Sequence, residues 1–134
     1  MNELTKPSTS AGPAERFTGS VLVDIITGPD AGVTVGSVHF TPGAHTAWHS
    51  HARGQTLHCT EGVGLVGTAD GVVVLRPGVT VWTPPGERHW HGAAPDHFMT
   101  HLAIGAQVTD GGADVDWQEH VPDEVYLRAA EQIH

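Results

Sequence analysis

The amino-acid sequence predicts a small all-β protein that ends in one short helix. Its 134 residues include Gly 17 and Pro 9, more turn-forming residues than a helical bundle of this length tolerates. Short segments rich in β-branched residues lie between these turns, a pattern typical of a β-sandwich or a closed barrel. The length and a hydrophobic fraction of 39% fit a single folded domain.

Nine extended segments are predicted, each bounded by Gly, Pro or Asp. In chain order they span residues 20–26, 33–40, 46–51, 55–60, 65–68, 72–75, 80–83, 89–91 and 98–104. The Asp70-Gly71 pair between the fifth and sixth segments indicates a tight hairpin. Pro-Gly pairs at 77–78 and 85–86 bound the seventh segment. These segments favour antiparallel strands joined by short turns.

The two ends of the chain differ in composition from its centre. Residues 1–16 are polar and rich in Ser, Thr, Pro and Ala, and we expect a flexible N-terminal arm. Residues 17–121 hold the predicted strands and form the barrel domain. After Pro122, acidic residues followed by good helix formers predict a helix over 123–133, within a C-terminal tail of residues 122–134.

The charge balance excludes two classes of partner. Asp+Glu 15 against Lys+Arg 6 gives a formal net charge of -9, which repels the phosphate backbone of nucleic acids. No apolar run approaches the roughly 18 residues of a membrane span. The first residues lack the pattern of a secretory signal, and the single Cys59 cannot form an internal disulfide. We therefore expect a cytoplasmic protein that binds neither nucleic acid nor membrane.

Histidine is the unusual feature of the composition, with His 11 in the chain. His49 and His51 alternate in an extended segment, so their side chains point to the same face. Gln55 follows after a three-residue link, and His89 comes from a distant segment. Such a pair is often two ordinary surface histidines, but together these four side chains can surround one divalent cation. Imidazole ligands suit Mn, Fe, Co, Ni and Zn without separating them sharply.

The spacing around these residues resembles the paired motifs of the cupin superfamily. The first block reads Gly43-x5-His49-x-His51-x3-Gln55-x6-Gly62, and the second reads Gly78-x5-Pro84-x-Gly86-x2-His89. Glu is usual in that family where Gln55 lies, and Asn is usual where Ala93 lies. The resemblance implies a jelly-roll β-barrel that holds a metal ion inside, with His49, His51, Gln55 and His89 as ligands.

Five segments resemble a narrower family, the bacterial cupin-type hydroxynitrile lyases. They are TAWHSH (46–51), GQTL (54–57), HWHGAAP (89–95), MTHLAI (99–104) and DWQEHV (116–121). Those lyases are small manganese-dependent barrels that cleave cyanohydrins to an aldehyde or ketone and hydrogen cyanide, and also catalyse the reverse addition. The resemblance implies a small carbonyl or cyanohydrin-type substrate and one divalent ion, Mn first, with Fe, Zn, Ni and Co as alternatives. Small cupins also pair through outer strands, which implies a homodimer or homotetramer.

Gln55 and His101 carry the predicted chemistry. An amide oxygen adds no negative charge, so the full charge of a divalent ion remains to polarise a bound oxygen, which favours lyase, isomerase or hydratase chemistry over redox chemistry. The resemblance assigns His101 as the catalytic proton acceptor. By strand alternation and by the resemblance, the predicted substrate pocket consists of Gly36, Val38, His91, Met99, Ala103 and Gly105. Trp48 and Trp90 have the opposite alternation and are predicted to pack outside the pocket.

One departure from the lyases bears on activity. Gly105 occupies a position where they carry a polar Gln, so a hydrogen-bond partner for the nitrile is missing and cyanohydrin activity is expected to be weaker or displaced. Two alternatives therefore stay open. One is a metal-dependent cupin isomerase or oxygenase acting on a small carbonyl or enol compound. The other is a non-catalytic cupin that binds a small molecule.

Overall fold

A computed structural model of the chain describes residues 1–106 and 114–134. Antiparallel strands make up about half of these residues, and one α-helix lies near the C-terminus. The strands are β1 (Ser10–Ala11), β2 (Phe17–Thr18), β3 (Val21–Thr27), β4 (Val33–Phe40), β5 (His45–Thr46), β6 (His49–His51), β7 (Gln55–Gly62), β8 (Gly64–Thr68), β9 (Gly71–Leu75), β10 (Thr80–Thr83), β11 (Trp90–Ala93), β12 (Met99–Ala106) and β13 (Val115–Trp117). The helix α1 spans Asp123–Ala130, and 3-10 turns span Pro29–Ala31 and Glu131–Ile133.

The strands form two main sheets and one short ribbon. The larger sheet has the order β1-β3-β4-β12-β7-β10, and the second has the order β2-β5-β11-β8-β9. The ribbon pairs β13 with β6, the strand that carries His49 and His51. The prediction of an all-β fold is confirmed, since each of the predicted segments corresponds to one or two of these strands.

Alternation along β4 shows why these residues form a two-sided strand. Gly36, Val38 and Phe40 are buried, whereas Ser37 and His39 between them are only partly buried. Val38 and Phe40 join a core cluster that also contains Leu57, Val66 and Leu75 from other strands of both sheets. Burying apolar side chains from two inner faces is what holds two sheets together.

The C-terminal helix covers the outer face of the second sheet. Tyr126, on α1, packs in a cluster with Trp48 and Trp90, and its hydroxyl donates a hydrogen bond to the Ala93 carbonyl at 2.6 Å. Both tryptophans therefore pack outside the space between the sheets, as their alternation predicts. In the described ranges, no helix combines the length and apolar character that a membrane span requires.

The N-terminal arm departs from its prediction. Ser10 and Ala11 pair with β3, at Val23 and Leu22, so part of residues 1–16 extends the larger sheet. The backbone N–H of Ala47 also donates to the Arg16 carbonyl at 2.8 Å. Two-residue strands such as β1 and β2 are too short to show alternation in a sequence, and only their pairing with β3 and β5 in the folded chain defines them.

Candidate metal centre

A cavity of about 520 Å³ opens between the sheets, within the range of about 300–1,000 Å³ typical of small-molecule sites. Its wall has a polar end, with four side chains that offer nitrogen or amide oxygen atoms: His49, His51, Gln55 and His91. Most of the remaining wall is apolar. Among the described lining residues Asp114 is the sole carboxylate, and no Lys or Arg is present.

A tight turn places Gln55 beside the two histidines of β6. Gly54 has a φ of 79° in the left-handed region, and an added Cβ would collide with the Trp82 ring. Only glycine fits there without strain. Its backbone N–H donates to the His51 carbonyl at 3.3 Å, and β7 begins at the next residue. The three-residue link 52–54 therefore turns the chain back so that Gln55 lies beside β6, as the length of the link predicts.

His89 reaches the same place from the other sequence block. Its backbone exchanges two hydrogen bonds of 2.9 Å with the backbone of His49. The imidazole centroids of His49 and His89 are 4.4 Å apart, and those of His49 and His51 are 5.1 Å apart. The potential ligand atoms of His49, His89 and His91 all lie within 4.8 Å of one another. Four histidines therefore converge at the polar end of the cavity.

The tautomers of His49 and His89 prepare both rings for a cation. Nδ1 of His49 donates to the Ala47 carbonyl, and Nδ1 of His89 donates to the Glu87 carbonyl, each at 2.9 Å. In a neutral imidazole the other nitrogen, Nε2, then keeps a free lone pair. Nε2 of His89 lies 3.3 Å from Oε1 of Gln55. Two acceptor atoms that face each other at this distance are stabilised by a cation that both can bind.

Burial keeps these histidines neutral, which is the form that binds metals. Removal from water and the nearby His89 ring lower the pKa of His49 to about 3 and that of His51 to about 4. Burial also lowers the pKa of His89. Nε2 of His51 is buried without a hydrogen-bond partner. Uncharged imidazoles, an unpartnered nitrogen and an amide oxygen form a donor set that fits a divalent transition-metal ion.

His91 lies beside the candidate ligands, with a nitrogen free to face either an ion or a substrate. The prediction placed His91 in the substrate pocket and named His51 and Gln55 as ligands, whereas His91 shares the tightest group of ligand atoms with His49 and His89. Nδ1 of His91 lies 2.9 Å from Nε2 of His101, and Nε2 of His91 has no partner. If Nδ1 of His91 donates to His101, its Nε2 carries a lone pair towards the cavity.

His101, the predicted proton acceptor, lies next to His91, with its Nε2 at 2.9 Å from Nδ1 of His91. Its side chain is fully buried and is not among the lining residues of the cavity. The Phe40 ring packs against it, with centroids 5.3 Å apart, and burial lowers its pKa to about 4. The hydrogen bond between His101 and His91 gives His101 a path for a proton to the cavity.

The predicted pocket residues divide by their position along the strands. Gly36, Val38, His91, Ala103 and Gly105 line the cavity. Met99 does not: it is fully buried in the core, opposite Phe40 at the closed end of β12, while the cavity opens towards Gly105. Alternation assigned Met99 to the correct face but not to the correct depth.

Trp117 is a feature of the site that the sequence prediction missed. It pairs with His49 across the β13–β6 ribbon, and the two rings stack with centroids 4.6 Å apart. The Arg16 guanidinium lies over the same tryptophan, 5.3 Å from the ring centroid. The DWQEHV segment carried a family resemblance, but a three-residue strand gives no alternation from which its partner could be deduced.

The chain is similar in sequence and in structure to several known proteins. Residues 36–104 match the cupin domain family. An (R)-mandelonitrile lyase of Granulicella tundricola is 52% identical over 131 residues, which cover 96% of this chain and 98% of that protein. A cupin-like protein of Thermotoga maritima, known from its crystal structure, is 38% identical with a TM-score of 0.84, covering 91% of this chain and 93% of that one. A cupin-2 domain of Rhodospirillum rubrum is 18% identical with a TM-score of 0.68, covering 90% and 78%, and it supports the fold alone.

Proposed function

Because the chain belongs to the cupin family, we propose that it is a metal-dependent lyase that cleaves cyanohydrins to an aldehyde or ketone and hydrogen cyanide, and catalyses the reverse addition. The observation that carries the proposal is the cluster of neutral imidazoles at one end of an apolar cavity, whose described lining residues include no cationic side chain. The 52% identity to a mandelonitrile lyase over nearly the whole chain supports the reaction class.

The proposed ligands of the ion are His49, His51, Gln55 and His89, and manganese is the first candidate ahead of Fe, Zn, Ni and Co. When bound, a divalent ion supplies Lewis acidity that lowers the pKa of the substrate hydroxyl group. The four ligand side chains bring no negative charge, so they leave that acidity undiminished. His49 and His89 are oriented for this task by the hydrogen bonds of their Nδ1 atoms to backbone carbonyls.

The proposed proton acceptor is the His91 side chain, with His101 as its positioning residue. Nε2 of His91 takes the hydroxyl proton of the cyanohydrin while Nδ1 of His91 donates to Nε2 of His101, at 2.9 Å. The electron pair of the carbon–carbon bond leaves with cyanide, and the proton held by His91 returns to it, giving hydrogen cyanide and a carbonyl compound. This role for His101 is indirect, because its ring does not line the cavity.

The charge of the cavity wall selects against other cupin substrates. Carboxylates, phosphates and sugar acids are usually held by Arg or Lys, and the described lining residues include neither. The Asp114 carboxylate at the cavity wall repels anions further. Cyanohydrins and their carbonyl products are neutral, so they need no cationic side chain for binding and are not repelled by Asp114.

A metal-reconstitution assay tests the proposal. Purified protein is stripped with a chelator, reloaded separately with Mn, Fe, Zn, Ni and Co, and mixed with mandelonitrile while benzaldehyde release is followed by absorbance. We expect turnover that depends on the metal, is lost in His89→Ala and is retained in His58→Ala, a variant of a histidine outside the cavity. Oxygen uptake by the iron-loaded protein without cyanohydrin cleavage would instead identify an oxygenase, and tight carbonyl binding without turnover would identify a binding protein.

The proposed assembly is a homodimer or homotetramer. β10 and β1 end the larger sheet and leave edges that another chain can pair with. The Trp82 side chain on β10 is 56% exposed, which is unusual for a tryptophan in a monomeric protein and favours an interface there.

A further inference from the structure

Thr46 is a buried residue of the cavity wall that the proposed mechanism does not use. It lies on the two-residue strand β5, where its neighbour His45 points to the outer face and stacks on Tyr126 with centroids 4.3 Å apart. Because successive side chains of a strand point to opposite faces, Thr46 points inward, and it lines the cavity. The residue is 1% exposed.

The hydroxyl group of Thr46 is oriented by His91. Its Oγ1 accepts a hydrogen bond from the backbone N–H of His91 at 3.1 Å. A threonine hydroxyl group has one proton and two lone pairs, so this bond uses a lone pair and leaves the proton. Within residues 1–106 and 114–134, the Thr46 hydroxyl makes this one side-chain hydrogen bond and finds no acceptor for its proton.

Two other threonines that line the cavity show the contrast. Thr27 donates its hydroxyl proton to the Val33 carbonyl at 2.6 Å. Thr34 donates its hydroxyl proton to the Gly105 carbonyl at 3.1 Å. The protein engages both of these protons, whereas the proton of Thr46 stays free. A buried donor without an acceptor is costly, so the free proton of Thr46 points to a ligand that accepts from it.

The position of this donor beside His91 indicates which part of a substrate it meets. Under the proposed function, Nε2 of His91 takes the proton of the substrate hydroxyl group. The nitrile group is the part of the same molecule that takes up negative charge as the carbon–carbon bond breaks, and Gly105 offers it no side-chain partner. A hydrogen-bond donor that is fixed in place before the reaction stabilises such developing charge.

We infer that the Thr46 hydroxyl group donates a hydrogen bond to the nitrile nitrogen of the cyanohydrin and holds the departing cyanide beside His91. The electron pair of the carbon–carbon bond leaves with cyanide, whose carbon takes the proton from Nε2 of His91, while Thr46 keeps its own proton throughout. Thr46 is then a second catalytic residue. Its catalytic role rests on the proposed function, whereas its bond to a nitrile follows from the cavity and can be tested without turnover.

Three variants and one control test the inference. Thr46→Val keeps the shape of the side chain and removes the hydroxyl group, and Thr46→Ala removes it in a smaller side chain in case the first variant folds poorly. Thr46→Ser keeps the hydroxyl group. Thr60→Val is the matched control, because the Thr60 hydroxyl donates to the Thr100 carbonyl at 3.2 Å and does not line the cavity. Circular dichroism and mass spectrometry of metal content establish that each variant is folded and equally loaded.

Turnover of mandelonitrile by the metal-loaded protein is the first measurement. We expect Thr46→Val to lower kcat about 100-fold, the lower end of the range for loss of one donor to a developing charge. KM should change less than about threefold, because the bond strengthens as the charge develops rather than when the substrate binds. Thr46→Ser should stay close to wild type, and Thr60→Val should match it.

An infrared measurement gives a readout that needs no turnover. The O-methyl ether of mandelonitrile keeps the nitrile group but has no hydroxyl proton, so it cannot react. A hydrogen bond to the nitrile nitrogen raises the C≡N stretching frequency. We expect the bound ether to absorb at a higher frequency in wild type and Thr46→Ser than in Thr46→Val and Thr46→Ala.

The outcomes separate the two proposals. Absence of turnover with every metal, together with a nitrile frequency that falls in Thr46→Val, would overturn the lyase and support the donor role of Thr46. Wild-type turnover that Thr46→Val retains, or the same nitrile frequency in both proteins, would overturn the donor role without affecting the lyase. A loss of kcat in Thr46→Ser as large as that in Thr46→Val would also overturn the donor role, since the hydroxyl group is present in the serine variant.

Discussion

Lowering the pH should destabilise the metal-free protein, because its buried histidines are held neutral in the folded state. Burial lowers the pKa of His101 to about 4, from an ordinary value of 6.5. Between these values the unfolded chain binds a proton that the folded chain does not bind. The free energy of unfolding therefore falls as the pH drops from 6.5 towards 4. Above pH 6.5 His101 is neutral in both the folded and the unfolded chain, and it causes no such loss.

The size of the effect follows from the same two values. The gap between 6.5 and about 4 for fully buried His101 corresponds to about 3 kcal/mol, at roughly 1.36 kcal/mol per pH unit. A domain of this kind has a total stability of only about 5–15 kcal/mol, so a single histidine accounts for a large share. His49 and His51 act in the same direction, since burial lowers the pKa of each.

Urea denaturation of chelator-treated protein at pH 7.5 and 4.5 measures the effect. We expect the loss of unfolding free energy in wild type to exceed that in His101→Gln by about 2 to 3 kcal/mol, because the variant has no group to protonate there. His134→Gln, a change at the exposed C-terminal residue, is the control and should follow wild type. Equal losses in wild type and His101→Gln would show that His101 is not held neutral by burial, and the argument for a buried histidine pair would fail with it.

Three further predictions concern the metal and the assembly. His89→Ala should lose bound metal while His58→Ala keeps it, measured by mass spectrometry of metal content; full occupancy in His89→Ala would contradict the proposed ligand set. Trp117→Leu should weaken metal affinity about two- to tenfold, because it removes the ring stacked on His49. Phe98→Leu, a change on the exposed surface, should leave the affinity unchanged. Equal affinities of the two variants in a competition titration would refute a positioning role for Trp117. Sedimentation at micromolar concentration should show a dimer or tetramer, and a monomer alone would remove the proposed assembly.

The alternation of side chains along strands is the part of the site that can be predicted directly from the sequence. His49 and His51 share a face because residues two apart in a strand always do, and the Gly54 turn brings Gln55 beside them for reasons of local geometry. The membership of the cupin family predicted from the spacing of these residues is confirmed.

Depth and long-range pairing are the parts that alternation cannot give. Met99 and Gly105 lie on the same face of β12, yet one is sealed in the core and the other lines the cavity, since the packing of two sheets decides where the space between them opens. Trp117 reaches His49 through a pairing between distant segments. Only the assembled sheets, and no local pattern, determine such contacts.

The supports of His49 have a consequence for when the histidine cluster is completed during synthesis. Its imidazole is held by the Ala47 carbonyl, its backbone by His89, and its ring face by Trp117, which come from widely separated parts of the chain. A ribosome delivers these segments in order, so an ion captured by a nascent chain would meet an incomplete set of supports until β13 emerges. The cluster is therefore complete only after the last long-range strand pair has formed, so the proposed ion would be loaded into a nearly fully folded chain.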